Sequence, residues 1–146
     1  MPGVLANEFN LYLFYFASDN IPGWNGTFVK VRDPDNDLNI ACITFENYRD
    51  IKFGGPNDEA ISGHPLAEYG LQAYSFQLVE NSPWIEERID MNKVHPLHSD
   101  SLFDGLKHYI YFFHDSCYEV LCKSYTFEFS GKKNMKEFVA FKLAEM

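Results

Sequence analysis

Short runs of apolar residues, separated by polar turns, make up most of the chain. Runs rich in aromatic and β-branched residues predict β-strands, and the Gly, Pro, Asn and Asp residues between them favour turns. After Lys107 the chain reads HYIYFF, then a polar corner HDS, then CYEVLCKSYTFEF, which predicts a long hairpin near the centre of a sheet. The other predicted strands are residues 9–17, 27–32, 38–45, 50–53 and 73–80.

Helical patterns are found in the second half of the chain. Ser82 and Pro83 are a favourable N-cap and first helical residue, and the apolar stripe that begins at Trp84 predicts a helix over residues 83–93. Residues 135–144 predict a closing helix, although their apolar positions also alternate as in a strand.

These elements predict an α+β fold. The expected architecture is a mainly antiparallel sheet, made of a meander and a long C-terminal hairpin, with a few helices over one face. No repeat, low-complexity tract or linker divides the sequence, and 146 residues suffice for one core. We therefore expect a single compact domain over residues 1–146.

Charge and cysteine content narrow the classes of function. The chain has 12 Lys and Arg against 21 Asp and Glu, a net charge of −9, so a phosphate backbone would be repelled. No apolar run approaches the roughly 18 residues of a membrane span, and no basic segment precedes the first apolar stretch. Cys42, Cys117 and Cys122 cannot all pair within one chain. We expect a cytoplasmic protein with reduced thiols that binds neither nucleic acid nor membrane.

A Gly- and Pro-rich segment after residue 53 holds the first candidate functional residues. Loops that are held by a rigid sheet often carry function. The alternative is that His64 only hydrogen-bonds the backbone of its turn and that Trp84 only fills the core. The candidate ligand-binding residues are Asn57, Asp58, Glu59, His64 and Trp84.

The corner of the predicted hairpin holds the candidate catalytic residues. His114 is the candidate for proton transfer, with Asp115 or Glu119 to orient it, because a His beside a carboxylate can titrate near neutral pH. Adjacent strand residues point to opposite faces, so the consecutive His, Asp and Ser do not predict a hydrolytic triad. Glu119 could instead face solvent. Cys117 could be a nucleophile with His114 or His64 as its base, or an inert buried thiol.

His95 and His98 form a candidate metal site. Their i, i+3 spacing can present two imidazoles to one ion, with His114, Asp115 or His64 as a third ligand. The intervening Pro96 disfavours a regular helix there, and no fourth ligand is fixed by spacing. The cofactor is therefore unknown, and a divalent metal is not favoured.

Four segments carry a resemblance to other proteins. GGPNDEAISGHPL, NSPWI, VHPLH and FHDS together resemble an uncharacterised group of bacterial proteins that carry a similar GGPNDE loop, then GHPL and a later FHDS. The resemblance covers about residues 53–119 and leaves both ends unmatched. It implies no activity, but it favours treating these segments as one unit.

Two functions fit this sequence. The first is a small-molecule-binding protein that holds a small polar molecule in a pocket and could act on it as an enzyme, such as a hydrolase, through His and carboxylate groups. The alternative is a non-catalytic acidic interaction or inhibitor protein that masks a basic protein partner.

Overall fold

The computed structural model describes residues 2–17 and 39–146, so the strand expected at residues 27–32 lies outside the described residues. In the described part, eight strands form two antiparallel four-stranded sheets accompanied by helices, which confirms the predicted α+β fold. The strands are β1 (Gly3–Ala6), β2 (Leu11–Phe16), β3 (Ile40–Glu46), β4 (Asp50–Gly54), β5 (Phe76–Val79), β6 (Lys107–Phe112), β7 (Cys117–Cys122) and β8 (Ser124–Phe129).

Two α-helices and three short 3-10 segments lie in the described part of the chain. The α-helices are α1 (Pro83–Asn92) and α2 (Met135–Leu143), and short 3-10 segments lie at Asp58–Gly63, Ala67–Tyr69 and Asp100–Phe103. Both predicted helices are confirmed to within two residues at their ends. Within the described residues, no helix is both long and apolar enough to cross a membrane.

The chain divides into two compact units, residues 1–44 with 125–146, and residues 45–124. One sheet has the strand order β1-β2-β3-β8 and the other has the order β4-β7-β6-β5. All the candidate functional residues lie in the second unit. The single domain expected from the sequence stays a prediction.

Strands β2 and β3 and helix α2 build the core of the first unit. Helix α2 begins with a capping box, in which the side chain of Asn134 accepts from the backbone of Glu137 and the side chain of Glu137 accepts from the backbone of Asn134. These bonds satisfy two backbone N–H groups that a helix start leaves free. The buried cluster contains Tyr12, Phe14, Ile40, Cys42 and Phe138.

The predicted hairpin positions the second unit's functional residues. β6 and β7 pair in the register that places Phe112 opposite Cys117 and His108 opposite Leu121. One face of this sheet is covered by α1, where Trp84 packs with Leu121, and by the loop between β4 and β5. Side chains at alternate positions therefore lie between the sheet and this covering layer.

Strands β6 and β7 form the predicted hairpin, and the run CYEVLCKSYTFEF after its corner divides into two strands, β7 and β8. All six residues of β7 are buried, whereas those of β8 are exposed or half-buried. β7 belongs to one sheet and β8 to the other, so the chain changes sheets at Lys123. A continuous run of aromatic and β-branched residues suits both strands, and for that reason it does not reveal the break.

Candidate functional site

A buried network of polar side chains lies under helix α1. Glu119, a predicted catalytic residue, is only 7% exposed. Its Oε2 lies 2.9 Å from Nε2 of His108, and Nδ1 of His108 lies 2.8 Å from Oγ of Ser82. Its Oε1 faces Nζ of Lys52 at 3.7 Å and Nε2 of His64 at 3.6 Å. We call these five residues the buried network.

The hydrogen bonds of the buried network have a defined direction. An ionised carboxylate only accepts, so Nε2–H of His108 donates to Glu119, and Nδ1 of the same ring is in hydrogen-bond contact with the Ser82 hydroxyl. Ser82 precedes α1 but makes no side-chain capping bond, because its hydroxyl is directed to His108. This order of Ser, His and Glu resembles a hydrolytic triad, yet Ser82 is 4% and His108 1% exposed. A substrate has no access to these groups, and the network joins α1 to the sheet.

Electrostatics keep Glu119 ionised inside the protein. Burial raises its pKa, but the hydrogen bond from His108 and the charge of Lys52 outweigh burial and leave the pKa lowered. The ammonium of Lys52 also lies 3.9 Å from the centre of the Trp84 ring, whose edge packs on His108. Trp84, a predicted ligand-binding residue, thus lies in the core above the network.

Three side chains in and beside the buried network carry atoms that can bind a metal ion. Potential ligand atoms of His64, Cys117 and Glu119 all lie within 4.8 Å of one another. However, Nδ1 of His64 accepts the backbone N–H of Leu66 at 3.2 Å, which places the proton of the neutral ring on Nε2. A metal-bound His usually donates from its other nitrogen. Burial raises the pKa of the metal-free Cys117 thiol to about 12, but a bound metal would itself deprotonate that thiol. The feature that does not fit a metal is therefore the hydrogen bond of His64.

His95 and His98 form hydrogen bonds with residues close to them in the sequence. Nδ1 of His95 accepts the backbone N–H of Leu97 at 3.1 Å. The ring nitrogens of His98 lie 2.9 Å from the side chains of Asn92 and Asp100. Among the described residues, the potential metal ligands that lie close together are His64, Cys117 and Glu119. Neither His95 nor His98 belongs to this group. Their role as metal ligands stays a prediction.

A second group of polar side chains lies at the surface of the same unit. Oδ2 of Asp58 lies 2.5 Å from the Tyr74 hydroxyl and 3.1 Å from Nδ1 of His114, and the hydroxyl and Nδ1 are 3.2 Å apart. We call these three residues the surface trio. The His114 side chain is 66% exposed. Oδ1 of Asp58 is buried and has no hydrogen-bond partner among the described residues.

Backbone contacts fix the surface trio. The side chain of Asn57 accepts from the backbone of Ala60 at 3.1 Å and caps the 3-10 segment that begins at Asp58. The backbone N–H of Asp58 donates to the carbonyl of His114 at 3.2 Å, and that of Tyr74 donates to the carbonyl of Phe112 at 2.8 Å. The loop and the hairpin corner are therefore held together independently of the three side chains.

The trio shifts the pKa values of its members. Hydrogen bonds from Tyr74 and then from His114 lower the pKa of Asp58. The hydrogen bond between Tyr74 and Asp58 raises the pKa of Tyr74 to about 12. A separate hydrogen bond between His114 and Asp58, together with the charge of Asp58, raises the pKa of His114. Asp58 is therefore a stable anion, and His114 holds its proton into a higher pH range than free histidine.

The structure brings some of the predicted residues together and separates others. His114 contacts Asp58, while Oδ1 of Asp115 lies 3.9 Å from Nε2 of His114. Glu119 belongs to the buried network, and Glu59 is exposed beside Asp58. The sequence therefore predicted the histidine of the trio and its carboxylate partner, but as members of different functional groups.

Two important residues were not among the candidates. Tyr74 falls inside a predicted strand, where nothing distinguishes it, but it adopts a left-handed backbone (φ 59°) in the turn before β5. His108 was also assigned to a strand. Hairpin register could have found it: if Phe112 pairs with Cys117, then His108 lies opposite Leu121 and shares a face with Glu119, its diagonal neighbour.

Comparison with protein-family models, with curated proteins and with solved structures finds no significant match.

Proposed function

We propose that the protein binds a small polar molecule at the surface trio and that His114 exchanges a proton with it. The supporting observation is the convergence of a carboxylate, a phenol and an exposed imidazole within 3.2 Å of one another. Such a group offers an acid, a base and a fixed negative charge in one place.

Hydrogen-bond directions define what a ligand would meet. The Tyr74 hydroxyl and Nδ1–H of protonated His114 both donate to Oδ2 of Asp58. The Nε2–H group of His114 then remains available to a ligand, because the ring is exposed. Oδ1 of Asp115 lies 3.9 Å from this Nε2, which is beyond hydrogen-bond distance. A ligand oxygen can accept this hydrogen bond and take up the proton, while Asp58 stabilises the imidazolium before transfer.

Backbone conformation supports a functional reading of Tyr74. A tyrosine with positive φ is strained, and such residues are concentrated at functional sites. Tyr74 has a φ of 59°, and its hydroxyl bonds Asp58 at 2.5 Å. In the buried network, by contrast, Ser82, His108 and Glu119 are all less than 10% exposed, and Lys52 is the half-exposed member. The proposal therefore uses none of its members.

A ligand screen tests this proposal. We expect at least one compound from a panel of small carboxylic acids, amino acids, sugars and amines to raise the melting temperature of the wild type. The response should disappear in His114→Gln and in Tyr74→Phe, because each variant removes one polar group of the trio. His95→Gln is the matched control, since the ring of His95 bonds only the backbone of its own turn.

The pH dependence provides the second readout. Affinity for the stabilising compound should follow the titration of His114, measured in the same samples by NMR. If no compound stabilises the wild type, or if the two trio variants respond as the wild type does, the proposed function is wrong.

A further inference from the structure

Strand β5 lies at the edge of its sheet, and a cavity of about 690 Å³ opens beside it. Among the described residues, β5 pairs only with β6. The cavity contacts Gln77, Leu78, Val79 and Glu80, four consecutive residues. Gln77, Leu78 and Val79 belong to β5 and point alternately to opposite faces, whereas Glu80 follows the strand. The cavity therefore borders the open edge of β5 near its C-terminal end. We call this cavity the edge cleft.

The two sides of the edge cleft differ in chemistry. Leu71 and Val79 pack in the same apolar cluster, and Leu66 also lines the cleft. On the opposite face, Leu78 is 50% exposed, and the exposed Glu80 lies in the turn directly after β5. One side of the cleft therefore suits apolar side chains, and the end of the strand offers a carboxylate.

Charge favours a basic occupant. Glu80 contributes a negative charge to the lining of the edge cleft. A second carboxylate, that of the exposed Glu68, precedes the lining residue Tyr69 in the sequence. The whole chain has a net charge of −9. An extended segment bound here would meet negative potential, and the described residues that line the cleft include no cation.

We propose that the edge cleft binds an extended segment of a partner protein in which Lys or Arg alternates with apolar residues. The segment adds a strand to β5 through backbone hydrogen bonds, with apolar side chains toward Leu66 and Leu71 and a basic side chain toward Glu80. Four residues of strand span about 13 Å, enough for a short segment. This interaction uses no member of the surface trio and goes beyond the proposed small-molecule site.

Fluorescein-labelled hexapeptides test the proposal on the full chain. The probes alternate Lys or Arg with Val, Leu or Tyr, and binding is followed by fluorescence anisotropy. We expect binding by at least one basic peptide and none by analogues with Glu in place of the basic residues. Methylation of alternate backbone nitrogens on the pairing edge should weaken binding at least about tenfold, because it removes the backbone donors.

Charge reversal gives the matched pair of protein variants. Glu80→Lys should weaken the basic peptides about tenfold, whereas Glu8→Lys, the same change at an exposed site in the first unit, should alter affinity by no more than about twofold. Hydrogen exchange at residues 77–80 should slow when peptide binds.

Several outcomes would overturn the proposal. They are the absence of binding by every basic peptide, equal effects of the two charge reversals, and tolerance of backbone methylation. Slow hydrogen exchange at residues 77–80 before peptide is added would also overturn it, because the edge would then already be paired.

Discussion

At the scale of single residues, His108 and His114 differ in exposure although each is hydrogen-bonded to a carboxylate. Both lie near a carboxylate, Glu119 and Asp58 respectively. His108 is enclosed, and its two nitrogens have partners inside the protein. His114 is open to solvent on one side of its ring. The same pair of functional groups therefore stabilises the fold in one place and is available to a ligand in the other.

The titration of His114 gives a prediction at this scale. Its pKa is raised, so its pairing with Asp58 stabilises the folded state below the ordinary pKa of histidine, about 6.5, and this stabilisation is lost as the pH rises through the raised pKa. NMR titration should give a midpoint above 6.5 for the wild type. Asp58→Asn should lower that midpoint more than Asp115→Asn, since the hydrogen bond to Asp58 is the largest cause of the shift. Equal effects of the two variants would contradict this account.

At the scale of elements, the buried network connects helix α1 with strands β6 and β7. Ser82 stands at the start of the helix, His108 on β6 and Glu119 on β7. A polar group that loses its only partner inside the protein keeps the full cost of its desolvation. The helix and the sheet are therefore coupled through a chain of hydrogen bonds whose loss the apolar packing around Trp84 does not replace.

Replacing Ser82 tests that coupling. Ser82→Ala leaves Nδ1 of His108 without its partner and should lower the free energy of unfolding by about 1–3 kcal/mol. Urea denaturation measures the loss. Ser99→Ala, at an exposed serine, should change stability by no more than about 0.5 kcal/mol. A stable Ser82→Ala variant would mean that the network contributes little to holding α1.

Local patterns predicted most of the elements but not how they come together. Strands β2, β3 and β4, helix α1 and the corner of the hairpin all follow from apolar runs, caps and turns. The sequence patterns did not predict β1 or the change of sheet at Lys123, because neither a four-residue strand nor a change of sheet produces a periodic pattern of apolar residues. The surface trio joins residues 16 to 56 positions apart, and such contacts depend on tertiary packing that the spacing of residues does not encode.

At the scale of the whole molecule, 21 acidic and 12 basic residues give a net charge of −9, which affects the rate at which charged partners associate. Exposed charges act over about 10 Å at 0.1 M salt, so they guide encounter more than they hold a bound segment. The contacts proposed for the edge cleft, backbone hydrogen bonds and apolar packing, are screened much less. Association and dissociation of a basic peptide should therefore differ in their response to salt.

Stopped-flow anisotropy with the basic hexapeptides can separate these two rates. Raising the salt from about 0.05 to about 0.5 M should slow association about tenfold or more, while the dissociation rate changes less than about threefold. Glu8→Lys, which raises the net charge from −9 by 2, should show a weaker salt dependence of association and the same dissociation rate. A salt effect carried mainly by dissociation would instead place most of the binding energy in ion pairs, and it would contradict a complex held through the backbone of β5.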